Sequence, residues 1–318
     1  MFKCLGILAF LGCLCSPVMA TAAPTEDGLK LAREVPLADM HMHVYGYRDS
    51  QPSELLRHMR NKNVRWGGGV GHYQRELQDE LGKRYIAAIG MAVWTDVFFC
   101  CGPTALQNVA DERFQDLFRL AERMFENGLL NGFGEIHINN RNRHDPRHER
   151  KIPLDNPVLN QMYTIAAKFG GFVQIHTMID SGIGEIKVMA KRYPRALTIL
   201  SHCLPGAKPD DIDKLFEEHP NIVCEVSSGG VIHIPLGRIF NRGGLRESWR
   251  VLIEKYPDRF LSELTLAADS LIGMMRSLMS YGKDFWLISS PRPCVGWRTG
   301  TQSSASGYPR NSLFAMRS

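Results

Sequence analysis

"PLADMHMHVYGY", residues 36–47, sets two histidines one residue apart behind an aspartate, inside an apolar run. Extended backbone alternates its side chains, so on a strand Asp39, His41 and His43 share one face and Met40 and Met42 the other. Burying an imidazole without a partner costs about 1–3 kcal/mol, so that face demands polar neighbours or a metal ion. Those partners have to come from elsewhere in the chain.

Working outward, short β-branched or apolar runs recur at 35–43, 64–70, 85–93, 130–138, 172–179, 196–203 and 222–228, and each reads as a strand. Amphipathic stretches lie between them. In "DERFQDLFRLAERMFENG" (111–128), Phe114, Leu117, Phe118, Ala121, Met124 and Phe125 recur at helical spacing, with Asp111 to cap the start and Gly128 to end it. "PVLNQMYTIAAKFG", "GEIKVMAKRYP" and "DDIDKLFEEHP" read the same way. Strands alternating with helices and no hairpin signal imply parallel pairing through right-handed crossovers. An eighth strand is expected near Arg259, after "SWRVLIEKYPD". That count predicts an α/β (β/α)8 barrel, with an incomplete or irregular eighth unit. No G-x-G-x-x-G follows the first strand, which argues against a dinucleotide-binding sheet.

At 318 residues the chain is long enough for such a barrel, and 44% hydrophobic with 22% charged residues is a soluble, core-forming composition. The net charge of +5 is mild, and no Lys/Arg stripe with interleaved aromatics occurs, so no nucleic-acid partner is expected. Residues 1–22 have the pattern of a secretory signal peptide: Lys3, a short apolar stretch from Cys4 to Cys15, and small residues around Ala20 and Ala22. That run is too short to span a bilayer, so a periplasmic or secreted location is expected. A lipoprotein reading at Cys13 fits less well, because Phe10 stands where Leu is usual. Removing the leader leaves Cys100, Cys101, Cys203, Cys224 and Cys294, an odd set without repeating spacing and not a disulfide framework. Cys100 and Cys101 read as loop or core thiols. The domain reading is therefore a leader at 1–22, a barrel over 30–283 and an irregular tail at 284–318, rich in Ser, Gly, Pro and Arg.

In a barrel, functional side chains sit at the C-terminal ends of the strands. His41 and His43 end the first strand. Glu135 falls late in the fourth, in "GFGEIHINN"; His176 ends the fifth, in "FVQIHTMI"; His202 ends the sixth, in "LTILSHC". Each residue alone has an ordinary structural explanation, a strand-end histidine being more often a satisfied polar group. Their coincidence at one rim points to a divalent metal, zinc first, with manganese or iron as alternatives. His137 shares a face with Glu135 and reads as a spacer or supporting group. Such a metal with one open position activates water near neutral pH.

These motifs, D-x-H-x-H on the first strand, His on the fifth and "SH" on the sixth, resemble the amidohydrolase superfamily. More narrowly, "FVQIHT", "ILSHC" and "YPDRFL" are similar to its amidohydrolase-related branch of lactonases and decarboxylases, over roughly residues 35–261. "GEI" at 134–136 is also similar to TatD-type deoxyribonucleases of the same barrel class. The resemblance implies that His41, His43 and His176 ligate metal, that Glu135 can join them, and that His202 ligates or handles a proton. Asp39 would support the strand-one histidines. The family places an aspartate in Gly-Ser/Thr-Asp at the end of strand eight, as ligand and general base. Here "DRFLSELTLAADSLIG" puts Glu263 too early and Asp269 late, so Asp269 is the candidate ligand and base only if the strand is slipped or lengthened.

The implied activity is hydrolysis of an ester, lactone or amide carbonyl in a small molecule by metal-activated water. The alternatives are a decarboxylating lyase of the same family and a catalytically inactive barrel that only binds. The loop "NNRNRHDPRHERK" (139–151) carries Arg141, Arg143, Arg147, Arg150 and Lys151 on the catalytic rim, where it is either a solvated loop or an attractor for an anionic substrate. "WGGGVG" (66–71) and "SSGGVIH" (227–233) read as flexible rim loops, the second bringing His233.

Overall fold

A computed structural model describes residues 34–44, 51–61, 63–140, 149–227, 239–241 and 244–263, together with Glu26 and Lys30. The strands are β1 (Leu37–Val44), β2 (Val64–Gly71), β3 (Tyr85–Ile86), β4 (Ala88–Gly90), β5 (Gly132–His137), β6 (Asn139–Asn140), β7 (Arg150–Lys151), β8 (Phe172–His176), β9 (Leu197–Leu200), β10 (Ile222–Ser227), β11 (Phe240–Asn241), β12 (Gly244–Leu245) and β13 (Phe260–Glu263). The helices are α1 (Pro52–Asn61), α2 (Arg75–Leu81), α3 (Met91–Ala105), α4 (Glu112–Glu126), α5 (Pro157–Phe169), α6 (Ile183–Arg192), α7 (Pro209–Glu218) and α8 (Glu247–Lys255).

The helices follow their sequence signals. Asp111 accepts a hydrogen bond from the Arg113 backbone N–H and caps α4, which buries Phe114, Leu117, Phe118, Ala121 and Met124. Asn156 caps α5 through the Leu159 N–H, and Gly170 ends it in the left-handed region. Pro157 and Pro209 occupy first helical positions, where no backbone donor is missed.

All ladders among the long strands are parallel. They form two arcs, β1-β2-β3 and β13-β10-β9-β8-β5-β4. The arcs meet at Ala87, which separates β3 from β4 and exchanges hydrogen bonds with Asn131, and again where β1 packs beside β13. This is a (β/α)8 arrangement whose hydrogen bonding runs in two arcs rather than one unbroken ring. The eighth strand starts at Phe260, next to the expected position. The leader, the tail and everything from residue 264 lie outside the described residues, and with them Asp269 and His233.

Two apolar layers hold the arrangement together. Met40, Ile86, Ala88, Phe172, Leu197, Ile199 and Val223, all from strands, form the packed interior of the barrel. The larger cluster lies outside the sheet and includes the buried faces of the helices. Met40 belongs to the inner layer and Met42 to the outer, so they do not share a face as plain alternation predicts. The reason is a register shift in β1 between Asp39 and Met42, which breaks the period of two.

"WGGGVG" is not a rim loop but the body of β2. A Cβ on Gly69 (φ +101°) would lie 1.7 Å from the Met40 carbonyl oxygen, so glycine lets the first two strands approach. Two small hairpins, β6–β7 and β11–β12, are antiparallel, contrary to the absence of hairpins read from the sequence. Cysteines also pair: Cys203 with Cys224, and Cys100 with its neighbour Cys101. The first pair is legible once β9 and β10 are neighbours, because the crossover then brings two thiols within a Cα separation of 4.5 Å. The second pair is exposed and lies beside Arg113, so these are neither free nor core thiols. Among the described residues no helix is long and apolar enough to cross a membrane.

Candidate metal centre

Glu135, at the end of β5, is 2% exposed and sits at the middle of a ring of histidines. Its Oε2 lies 3.2 Å from His41 Nε2 and 3.0 Å from His137 Nε2. Its Oε1 lies 2.9 Å from His176 Nδ1 and 3.6 Å from His202 Nε2. The His41 ring centroid is 5.0 Å from that of His43 and 5.1 Å from that of His202, and those of His176 and His202 are 5.0 Å apart. The structure thus gathers His41, His43, Glu135, His176 and His202 at one end of the barrel. Asp269, the expected strand-eight ligand and base, is outside the described residues.

Each element delivers its residue for a local reason. Register shifts occur in both β1 and β5, between Asp39 and Met42 and between Phe133 and Ile136, and they turn His41 and Glu135 toward one another. Asp39 accepts the His41 backbone N–H at 3.0 Å. His202 departs from expectation in one respect: it does not end a strand. It stands in a turn after β9, where His202, Cys203 and Leu204 all have positive φ, at 55°, 50° and 58°. The crosslink to Cys224 and a bond from the His202 N–H to Glu225 Oε2 (3.2 Å) hold this turn.

Glu225 is the residue that sequence reading missed. It is fully buried on β10, and its Oε2 lies 2.8 Å from His41 Nδ1. Only its position, an acid inside the apolar strand "NIVCEVS", hinted that a partner was needed. The Gln174 amide on β8 lies 3.2 Å from the same nitrogen, and a proton on Nδ1 requires the amide to present its oxygen there.

The protonation pattern that follows is informative. A carboxylate only accepts, so His41 Nδ1 carries the proton and donates it to Glu225. Its Nε2 then turns a lone pair on Glu135 Oε2, acceptor against acceptor. Such a contact calls for positive charge, either a second proton on a buried ring or a cation. The donor set suits the second: three groups, His41/His43/Glu135, Glu135/His137/His176 and His41/His202/Glu225, each place their ligand atoms within 4.8 Å of one another. The His41–Glu225 bond is the carboxylate–imidazole support that metal-bound histidines use.

Burial by itself would raise the Glu135 carboxyl, but the His41, His137 and His176 imidazoles hold it well below the usual carboxylate range. Burial pushes His176 down to about 4 against the pull of Glu135, so its ring is neutral near neutral pH, as ligation requires. Of the basic loop, Arg141, Arg143 and Arg147 lie outside the described residues, while Arg150 is 4% exposed and packed against the site.

No family model matches the chain, and no curated protein does. Solved structures similar to it include 2,6-dihydroxybenzoate decarboxylase from Rhizobium, at 12% identity over 80% of this chain and 96% of that one, with a TM-score of 0.47. An uncharacterized amidohydrolase from Saccharomyces cerevisiae matches at 14% identity over 72% and 75%, with a TM-score of 0.44. Dihydroorotase from the same yeast matches at 10% over 79% and 82%, with a TM-score of 0.43. At such values the chemistry has to come from this chain's own residues.

Proposed function

We propose that this chain is a metal-dependent hydrolase of the amidohydrolase type, acting on an ester, lactone or amide carbonyl of a small molecule. The acceptor-to-acceptor contact between His41 Nε2 and Glu135 Oε2, ringed by His43, His176 and His202, carries the reading. His41, His43, His176 and Glu135 would hold the cation, zinc before manganese or iron. When bound, it supplies a Lewis acid and water activation near neutral pH.

The remaining work falls to the chain. Glu225 and Gln174 orient His41. His202, its side chain 16% exposed and its Nε2 3.6 Å from Glu135 Oε1, would move a proton between solvent and substrate. Asp269 is the proposed second proton-handling group. A periplasmic or secreted location belongs to the same proposal, supported by the leader-like segment 1–22 and by a Cys203–Cys224 crosslink suited to oxidising compartments.

Elemental analysis of the purified protein is the test. The parent should carry a divalent transition metal that His41→Ala/His43→Ala lacks. Hydrolysis across a panel of lactones, esters and amides should stop on chelation and return with zinc or manganese. Release of CO2 without addition of water would assign a lyase instead. A parent without metal would leave a binding barrel.

A further inference from the structure

Arg150 stands outside the ring of ligands, on the β6–β7 hairpin, yet it is 4% exposed. Its guanidinium lies over the Phe98 ring at 4.3 Å from the centroid, and its Nη2 donates to His137 Nδ1 at 2.8 Å. Among the described residues Nε and Nη1 find no hydrogen-bond partner. Leaving buried donors unmade costs about 1–3 kcal/mol, a cost that an apolar side chain packed on Phe98 would avoid. Among the described residues its side chain makes one hydrogen bond, to His137.

A guanidinium has no acceptor, so the His137–Arg150 bond has one possible direction. Nδ1 of His137 receives, and the ring proton is confined to Nε2, which faces Glu135 Oε2 at 3.0 Å. His137 is held from the backbone as well, through the Trp94 indole on its carbonyl oxygen at 2.9 Å. The run Arg150, His137, Glu135 is thus a one-way relay of donors ending on the carboxylate. With its proton on Nε2, His137 offers no lone pair to a cation there, although its geometry alone would admit it as a ligand.

We infer that Arg150 is a positioning residue: it fixes the Nε2–H tautomer of His137 and thereby fixes the orientation of the Glu135 carboxylate. The relay rests on the reading of Glu135 as a cation ligand only for its effect on cation binding; the tautomer is a property of the chain alone. The guanidinium keeps its charge in this role, since burial brings it down only to about 10.

The test uses the full chain with 15N-labelled histidine, first stripped of metal with a chelator. At mildly alkaline pH, the His137 signal, assigned by its loss in His137→Gln, should show a protonated Nε2 and an unprotonated Nδ1. Arg150→Met, which keeps bulk over Phe98 but removes the donor, should release the ring to a tautomer mixture. The same variant should weaken zinc binding roughly 10–100-fold, and Arg150→Lys, which keeps a donor, should recover part of both effects. A parent ring protonated on Nδ1 overturns the inference, whether or not any variant folds. So does an Arg150→Met protein with unchanged tautomer and unchanged zinc affinity. A parent that binds no zinc but shows the Nε2–H ring defeats the metal reading and upholds the relay.

Discussion

Glu225 does its work at the scale of one hydrogen bond. Its carboxylate fixes the proton of His41 on Nδ1, and that choice turns the Nε2 lone pair toward Glu135. Replacing it with glutamine keeps the shape but removes the charge and the acceptor-only character that set the direction of the bond. Glu225→Gln should therefore fold normally and bind zinc roughly 10–100-fold more weakly, read by competition against a chelator of known affinity. Unchanged affinity would mean that Gln174 alone orients His41. His41, His43 and His176 were legible in the sequence because they lie on strands that a barrel brings together, and His202 because it closely follows one. Glu225 was not, because a single acid within an apolar strand has no sequence neighbour to declare its partner; only the fold brings His41, 184 positions away, within 2.8 Å.

At the scale of elements, the turn after β9 is the costly piece. Three successive non-glycine residues with positive φ cost about 1 kcal/mol or more each. The turn persists because Cys203 is tied to Cys224 and because the His202 N–H is received by Glu225. The double substitution Cys203→Ala/Cys224→Ala opens a loop whose ends are separated by 21 residues. By loop entropy alone it should lose about 3 kcal/mol, seen as a lower urea midpoint, and the parent under reductant should match it. A midpoint that stays put would assign the turn to its hydrogen bonds alone. This is also where sequence reading fell short. Strand and helix existence followed from period and capping, as in α4 between Asp111 and the Gly128 stop. The departures from period in β1 and β5 did not, because a register shift is fixed by neighbouring strands that the local sequence does not name. Those shifts are what turn His41 and Glu135 toward one another.

For the whole molecule, the site and the seams of the barrel are one subject. His41 and His43 belong to the arc β1-β2-β3, whereas Glu135, His176 and Glu225 lie on the six-stranded arc and His202 follows one of its strands. A cation held by both groups would therefore tie the arcs together where β1 packs beside β13 without a ladder among the described residues. Two buried carboxylates facing one imidazole also leave the metal-free centre short of positive charge. Binding to the native state alone adds about 2.7 kcal/mol at a ligand concentration one hundredfold above Kd. In a barrel of this size that corresponds to roughly 5–10 °C in Tm, at about 2–4 °C per kcal/mol. Chelation should lower the parent Tm by that order, zinc should restore it, and His41→Ala should respond to neither. Hydrogen exchange gives the decisive detail: zinc should slow the amides of β1 and β13 more than those of β8 and β9, which are already paired on both edges. Equal protection of all four strands would show a cation that stabilises the centre without closing the seam.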